Sequence, residues 1–154
     1  MNITSILRRK AIKLDIAART KDEVIEEMVT LLANAHRLPD PALVFADVKA
    51  REALMSTAIG GGIAVPHAKT KAVSELIAGC GLCRQGADFD ADDGEPVRLV
   101  FLLLSPVDPS GLHVQALADI AKLVAQDDVR SELLESPSPR RFYKTLKNAE
   151  RKYL

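Results

Sequence analysis

The chain has 154 residues, with 21 Lys plus Arg against 21 Asp plus Glu, so its formal net charge at pH 7 is zero. An apolar content of 47% and a charged content of 27% exclude a disordered or fibrous chain, and the length suits one domain spanning residues 1–154. Neutrality and an aromatic content of 4% argue against binding to nucleic acid. The sequence has neither a secretory leader nor an apolar run of about eighteen residues, so we expect a cytoplasmic protein that does not insert into a membrane.

The amino-terminal part of the sequence predicts one strand and two helices. Residues 11–16 alternate apolar with polar side chains, which is typical of a half-buried strand. Thr20 and Glu23 form a capping box that begins a helix with one apolar stripe. The stripe consists of Val24, Met28, Leu31 and Ala35. Asp40-Pro41 begins a second helix, which we expect to run to about Leu54.

The central part of the sequence predicts three strands joined by turns. Three consecutive glycines at positions 60–62 predict a tight turn into a short strand that ends at Pro66. A second apolar strand is expected over residues 76–82. Asp93-Gly94 is a turn signal, and residues 97–104 are almost wholly apolar, as in a strand that is buried on both faces.

The carboxy-terminal part of the sequence predicts three helices. We expect Asp108-Pro109-Ser110-Gly111 to cap a long helix with one inward stripe. That stripe consists of His113, Leu117, Ile120 and Val124. Two further helices begin at Asp127 or Asp128 and at Ser138-Pro139. Because helices and strands alternate along the chain, we expect an α/β protein (α+β by strict usage) in which helices cover both faces of a sheet.

Cys80 and Cys83 have the spacing of a redox or zinc motif. Such redox motifs begin a helix, whereas these cysteines lie in or at the end of a predicted strand, where residues three apart face opposite sides. A zinc site would need two further ligands, which no second cysteine pair or nearby histidine supplies. We interpret both as buried structural residues and expect no metal ion, with a redox role as the alternative.

The glycine triplet at 60–62 also raises the possibility of a phosphate-cradling loop. A nucleotide-binding loop ends in Gly-Lys-Ser/Thr, and a dinucleotide-binding motif opens a helix, whereas a strand-like Ile-Ala-Val follows here. We therefore interpret the triplet as a backbone turn and expect no bound cofactor.

The three histidines occur in different contexts. His36 lies near the end of a helix, where a cation suits the helix dipole, and we expect it at the surface. His67 follows a predicted strand, and His113 occupies the first turn of the helix that begins beyond the carboxyl end of the most buried strand. Ligands of open α/β sheets bind at this edge, and the free N–H groups of a helix start attract anions.

The spacing of His67 and His113 leaves two interpretations open. Either His113 is a core histidine and His67 a loop residue, or the two imidazoles converge on one anion-binding site. Phosphoryl chemistry needs an imidazole with one free nitrogen, oriented through the other nitrogen, and donors around the phosphoryl oxygens. Arg51, near the end of the second helix, is a candidate charged donor.

A longer pattern runs from Arg51 to Ala68. It reads Arg-Glu-Ala-Leu-Met-Ser-Thr-Ala-Ile-Gly-Gly-Gly-Ile-Ala-Val-Pro-His-Ala. It resembles the phosphorylation-site segment of enzyme IIA domains of the bacterial phosphotransferase system, in the fructose–mannitol and nitrogen-regulatory class. That family typically reads Arg-Glu, a few residues, Ser-Thr-Gly-Ile-Gly, one residue, and Gly-Ile-Ala-Ile-Pro-His. The resemblance covers nearly the whole chain and continues at Phe89-Asp90, Glu95-Pro96-Val97, Leu112-His113 and Leu117.

The resemblance implies a fold, a reaction and a set of site residues. The fold is a three-layer α/β/α sandwich with a mixed sheet flanked by helices. His67 accepts a phosphoryl group on Nε2 from the phosphohistidine of the small carrier protein HPr or its nitrogen-branch relative, while a backbone carbonyl holds Nδ1–H. His113 stabilises the phosphoryl group, and Arg51 lies beside it. The surroundings of the phosphoryl group are Ser56, Thr57, Pro66 and Ser110.

Two departures from the family pattern leave these site residues in place. Ala58 replaces a common glycine, and Leu54-Met55 replaces a more usual Leu-Gly. The single-domain form and the motif favour a nitrogen-regulatory component, whose partners are regulatory targets such as transporters or kinases. A stand-alone fructose- or mannitol-type sugar-specific protein that passes the group to a IIB domain is the alternative. A partner-binding module without phosphoryl transfer is the second alternative.

Overall fold

The computed structural model describes residues 2–108 and 110–154, which form a six-stranded sheet, five α-helices and a 3-10 turn at Ile3–Ser5. The strands are β1 (Leu7–Lys13), β2 (Ala58–Gly60), β3 (Ile63–Ala64), β4 (His67–Lys69), β5 (Ile77–Ala87) and β6 (Val97–Ser105). The helices are α1 (Lys21–His36), α2 (Pro41–Leu54), α3 (Leu112–Val124), α4 (Asp127–Leu134) and α5 (Pro139–Tyr153). No helix in these described ranges is long and apolar enough to cross a membrane.

The sheet is mixed, and helices pack on it in two groups. The strand order is β1-β5-β6-β3-β2, with β4 also paired to β6. β5 and β6 are antiparallel, whereas β1 runs parallel to β5, and both β3 and β4 run parallel to β6. α1 packs with α2 and against β5, and α3, α4 and α5 pack with one another and against β1 and β6. The predicted three-layer α/β/α sandwich with a mixed sheet is confirmed.

The central strand β6 is buried on both faces, as its apolar sequence predicts. Every residue of β6 except Arg98 is buried, because neighbouring strands lie on both sides and helices cover both faces. Cys80 and Cys83 both lie in β5, and both are buried, free thiols, as predicted.

Three predicted helix starts are confirmed by their capping hydrogen bonds. In each, a side-chain oxygen accepts from the backbone N–H three residues later, at 3.1 to 3.4 Å. The capping residues are Thr20 for α1, Asp40 for α2 and Ser138 for α5. The predicted end of α2 at Leu54 and the start of α4 at Asp127 are also confirmed.

The bounds of two strands differ from the prediction. The first strand is Leu7–Lys13 rather than residues 11–16, because exposed Arg8-Arg9-Lys10 and an irregular register with β5 interrupt the alternation. β5 begins at Ile77 and continues to Ala87 rather than ending at residue 82, since its exposed Arg84-Gln85 ends the apolar run but not the strand.

The glycine triplet forms the predicted turn, but more strands surround it than predicted. Gly60, Gly61 and Gly62 have φ of +89°, +66° and +80°, which favour glycine, and they join β2 and β3 as an antiparallel pair. β3 and β4 pair with β6 in the same register, so they form one strand line that is interrupted at Val65-Pro66. Consequently His67 begins a strand instead of following the end of one.

The predicted start of α3 after residues 108–111 is confirmed, but the helix has no side-chain cap. α3 begins at Leu112 after Gly111, which has φ of +72° and no capping side chain. The Asp108 carboxylate instead accepts from the Ser110 N–H at 2.9 Å, before the helix, and Pro109 lies outside the described residues. Of the predicted stripe, the members at the carboxyl end are buried and those at the amino end are half-buried, so the helix start reaches the surface. The buried members are Ile120 and Val124, and the half-buried members are His113 and Leu117.

Candidate functional site

The ring of half-buried His67 is held by the backbone two residues before it. Its Nδ1 lies 2.9 Å from the carbonyl oxygen of Val65. Because a carbonyl oxygen only accepts, Nδ1 carries the hydrogen and donates it, and Nε2 of the neutral ring keeps its lone pair. This contact selects the tautomer that the family resemblance implies.

The surroundings lower the pKa of His67 below its ordinary value of 6.5. Burial is the main cause, because it disfavours the charged imidazolium, and the positive charges of Arg51 and His113 act in the same direction. The hydrogen bond to Val65 and the negative charge of Glu52 oppose them. The ring is therefore neutral at pH 7, with Nε2 able to act as a nucleophile.

Arg51 and His113 approach His67 from two different elements. Arg51 lies in the last turn of α2, where its Nη1 donates to the carbonyl oxygen of Met55 at 3.0 Å. This bond ties the guanidinium to the end of the helix beside the loop that leads to β2. His113 lies in the first turn of α3, where the amide groups of a helix start favour anions. Both residues act electrostatically on His67, so the structure brings the three predicted side chains into one neighbourhood.

The loop between β6 and α3 adds polar groups near His113. The pKa of Asp108 lies below its usual value because Ser110 donates hydrogen bonds to its carboxylate, with help from the positive charges of Lys69 and His113. Ser110 Oγ also lies 3.4 Å from the Leu112 N–H, so the described contacts of Ser110 stabilise the loop itself.

Ser56 and Thr57 shape the loop between α2 and β2. Ser56 Oγ donates to the carbonyl oxygen of Phe89 at 3.0 Å and accepts from the Ala58 N–H at 3.2 Å. Buried Thr57 donates its hydroxyl to the carboxylate of Glu52 at 2.6 Å. Buried Pro66 has no N–H and interrupts the strand just before His67.

Glu52 lies beside the candidate site, and sequence reasoning missed it. It is 6% exposed, and it continues the buried face of α2 formed by Val44 and Val48, each four residues apart. A carboxylate on an apolar stripe needs partners, because an unpaired buried charge is costly. The four-residue spacing of Val44, Val48 and Glu52 is the sequence signal that could have identified Glu52 as buried.

The prediction that His36 lies on the surface is met only in part. It is half-buried, and its Nε2 is fully buried with no hydrogen-bond partner among the described residues. Burial first, and then the positive charge of Arg8, lowers the pKa of His36, so the charged form that suits a helix end is disfavoured. Its neighbours are Arg8 and Glu75, so His36 is separate from the site around His67.

Exposed apolar side chains flank the candidate site residues along the sequence. Leu54 and Met55, next to Arg51, are 81% and 71% exposed. Others lie in β2, in the loop after β6 and on either side of His113. They are Ile59, Val107, Leu112 and Val114. Within the described ranges, no group of three or more His, Cys, Asp or Glu side chains could hold a metal ion.

Comparison with known proteins finds relatives along most of the chain. A family model described as "Phosphoenolpyruvate-dependent sugar phosphotransferase system, EIIA 2" matches residues 5–149. The phosphotransferase system (PTS) fructose-specific EIIABC component of Bacillus subtilis is 38% identical over 90% of this chain, which spans only 22% of that protein. The PTS fructose-specific EIIA component of Haloferax volcanii is 34% identical over 89% of both chains. The nitrogen regulatory protein of Bradyrhizobium diazoefficiens is 32% identical over 95% of both chains.

Solved structures share this fold. The nitrogen regulatory protein IIA-Ntr of Neisseria meningitidis superimposes with a TM-score of 0.86 at 34% identity, covering 94% of this chain and 98% of that one. The mannitol enzyme IIA of Escherichia coli, solved as a complex with phosphorylated mannitol enzyme IIB, gives a TM-score of 0.78 at 21% identity, covering 92% and 99%. The second likeness supports the fold alone. Because the family model spans residues 5–149 and relatives above 30% identity align along most of their own length, the chain belongs to the EIIA type-2 family of phosphoryl-transfer components of the phosphoenolpyruvate-dependent sugar phosphotransferase system.

Proposed function

We propose that this protein carries a phosphoryl group on Nε2 of His67, which it accepts from the phosphohistidine of an HPr-type carrier protein. The observation that carries the proposal is the 2.9 Å contact between His67 Nδ1 and the Val65 carbonyl, because it leaves Nε2 as the free nitrogen of a neutral ring. Membership of the EIIA type-2 family supports the same chemistry.

The proposed transfer balances without a cofactor. The lone pair of Nε2 attacks phosphorus, the P–N bond of the donor phosphohistidine breaks, and the donor imidazole leaves with that electron pair. The ring of His67 gains positive charge as the new bond forms, and the Val65 carbonyl stabilises this charge by accepting the Nδ1 hydrogen. Arg51 and His113 supply donors for the phosphoryl oxygens.

We further propose that the exposed apolar side chains around the site form the docking surface for the donor and the acceptor proteins. Side chains such as Leu54 and Met55 project into solvent, and contiguous exposed apolar surface marks interaction sites. A phosphoryl group adds about −1.5 to −2 charge units at pH 7, so its arrival changes which partners this surface binds.

For the downstream role we propose a nitrogen or metabolic regulatory component that acts on targets such as transporters or kinases. The likeness to the Neisseria nitrogen regulatory protein along nearly the full length of both chains supports this role. The fructose-specific relatives favour a second candidate, which is a stand-alone sugar-specific EIIA that passes the group to a IIB domain.

The acceptor is tested by incubating the chain with phosphoenolpyruvate, enzyme I and an HPr-type carrier, followed by intact-mass measurement. We expect one acid-labile phosphoryl group on the wild-type chain, none on His67→Ala, and one on His36→Ala, which changes a histidine outside the site. An unlabelled wild-type chain would leave a partner-binding module as the function, and a labelled His67→Ala would move the acceptor elsewhere.

The downstream role is tested by adding a fructose-type IIB domain to the phosphorylated chain. Rapid transfer to IIB would favour the sugar-specific role. Retention of the group, together with a phosphorylation-dependent change in affinity for a transporter or kinase, would favour the regulatory role.

A further inference from the structure

We propose that Glu52 is a positioning residue for His67, which it holds through two intermediate residues, Thr57 and Val65. The proposal rests on the proposed function, because the position of His67 matters for phosphoryl transfer only if this ring is the acceptor. Four residues from three separate segments are linked in one unbroken chain of hydrogen bonds that ends at the ring.

The first link is between Glu52 and the loop that follows α2. One carboxylate oxygen accepts from the Thr57 N–H at 2.8 Å, and the other accepts from the Thr57 hydroxyl at 2.6 Å. Both residues are 6% exposed, so water does not compete for these bonds. Lys21 Nζ, at the start of α1, lies 3.7 Å from the same carboxylate and compensates part of its buried charge.

The second link carries the position of Thr57 to the ring. The Thr57 carbonyl oxygen accepts from the Val65 N–H at 3.0 Å. The Val65 carbonyl oxygen in turn lies 2.9 Å from Nδ1 of His67. Between β3 and β4, Val65 is therefore held by Thr57 through its N–H, while the next carbonyl, that of Pro66, accepts from the Leu103 N–H of β6 at 3.1 Å.

Arg51 and Glu52 are consecutive residues that hold opposite sides of the same loop. Arg51 contacts the Met55 carbonyl from the partly exposed side of α2, and Glu52 holds Thr57 from the buried side. The pair therefore holds both ends of the loop from Met55 to Thr57, which contacts the Arg51 guanidinium at one end and is linked to the His67 ring at the other. Removal of the carboxylate would leave the Thr57 N–H and hydroxyl buried without an acceptor, and the loop would shift to find one.

The test measures both the ring tautomer and the transfer rate in full-length variants. In wild-type protein, the ¹⁵N signals of His67 should show hydrogen on Nδ1 and a bare Nε2. We expect Glu52→Ala to mix in the Nε2–H tautomer and to lower the phosphorylation rate at saturating carrier by roughly 10- to 100-fold, with little change in KM. Glu52→Gln keeps one acceptor oxygen and the side-chain shape, so its loss should be smaller.

Glu150 provides a matched control. It is also buried, and it accepts from both the N–H and the hydroxyl of Thr4, far along the chain from His67. Glu150→Ala should lower stability while leaving the tautomer and the rate of the folded protein unchanged. Thr57→Val, which loses only the hydroxyl link, keeps the test decisive if Glu52→Ala does not fold, because it should give a smaller change in the same direction.

The outcomes separate the two proposals. A wild-type tautomer and rate in both Glu52 variants would overturn the positioning role, as would equal losses in the Glu52 and Glu150 variants. A wild-type chain that accepts no phosphoryl group would overturn the proposed function, whereas the ring signals, which need no donor, would still decide whether Glu52 holds His67.

Discussion

Two opposing effects act on the imidazole of His67: burial lowers its pKa, and the hydrogen bond to Val65 raises it. Burial disfavours the charged ring, whereas the Val65 carbonyl accepts the Nδ1 hydrogen and so stabilises any positive charge that forms on the ring. A freely exposed histidine would have neither effect, and its ring would be partly protonated near its ordinary pKa of 6.5. The half-buried position thus suits a nucleophile.

A first prediction concerns the pH dependence of this site. Protonation blocks Nε2, and the pKa of His67 lies below 6.5, so the acceptance rate should fall to half of its plateau value only below pH 6.5. The measurement is the initial rate of labelling with pre-phosphorylated carrier at a series of pH values. A rate that already halves above pH 6.5 would contradict the lowered pKa.

The same shift affects stability with a definite sign. Well above pH 6.5, His67 is neutral in both the folded and the unfolded chain, and its contribution does not change. As the pH falls through 6.5 towards the folded pKa, the unfolded chain binds the proton before the folded chain does, so the free energy of unfolding decreases. His36, with its lowered pKa, acts in the same direction, and His36→Gln should make denaturant unfolding less dependent on pH in this window.

The two cysteines give a second prediction at this scale. Burial raises the pKa of Cys83 to about 11 and that of Cys80 well above its ordinary value, so the reactive thiolate is scarce at neutral pH. In the native protein neither thiol should react with Ellman's reagent on the time scale of minutes. The control sample in guanidinium should release both thiols at once. Rapid labelling of native protein would reopen the redox alternative.

Packing between α1 and β5 is close enough to require glycine in the strand. A Cβ on Gly79 would lie 2.0 Å from Cδ1 of Leu32, so the side chain of α1 occupies the space above the strand. Gly81 is similarly covered by Met28 and Ile16. The helix thus approaches the sheet more closely than a side chain on the strand would allow.

A third prediction tests this approach with a double-mutant cycle. Gly79→Ala should cost about 1–3 kcal/mol of unfolding free energy through overpacking, and Leu32→Ala should cost about 2–5 kcal/mol through its cavity. The double variant should cost less than the sum, because the added methyl group fills part of the cavity. Denaturant unfolding measures each value.

The control pair for this cycle is Gly61→Ala with Leu32→Ala. A Cβ on Gly61 meets nothing within 4 Å, so its cost comes from its φ of +66° alone. This pair should be additive within about 0.5 kcal/mol. Additivity in the Gly79 pair as well would show that the helix and the strand are not in direct contact there.

Elements that depend on contacts between residues close in sequence could be predicted from the sequence, and elements that depend on pairing with residues far along the chain could not. The caps at Thr20, Asp40 and Ser138 were predictable because each bonds to an N–H only three residues away. β2 and β4 were not, since each has three residues and exists only through pairing with strands elsewhere. A short strand of this kind has too few residues to show a pattern of its own.

The same distinction applies to the candidate site. His67, His113 and Arg51 could be named from a motif and from helix and strand ends, and the structure places their charges near one another. The arrangement around Glu52 could not, because its link to His67 passes through Thr57 and Val65 and exists only in the folded chain.

At the scale of the whole molecule, a net charge of zero conceals charges of opposite sign in different places. The exposed face of α5 is basic, and it consists of Arg140, Arg141, Lys144, Lys147, Arg151 and Lys152. The loop between β5 and β6 is acidic, with Asp88, Asp90, Asp92, Asp93 and Glu95 all exposed. Neither region contains His67, and exposed apolar side chains lie next to Arg51 and His113 in the sequence. If His67 accepts a phosphoryl group as proposed, about −1.5 to −2 charge units are added to a part of the surface that lacks these charge clusters.

The last prediction tests whether this apolar surface binds the donor. Leu54 and Met55 are exposed side chains at the end of α2, so changing both to serine should alter the unfolding free energy by less than about 0.5 kcal/mol. If they dock the carrier, the double variant should raise KM for the phosphorylated carrier roughly tenfold, with the rate at saturation nearly unchanged. Leu154→Ser is the control, since Leu154 is also an exposed apolar residue but is the last residue of the chain, far in sequence from Leu54 and Met55. Steady-state labelling at varied carrier concentration measures KM. An unchanged KM in the double variant, or an equal rise in the Leu154 variant, would show that docking relies on other residues.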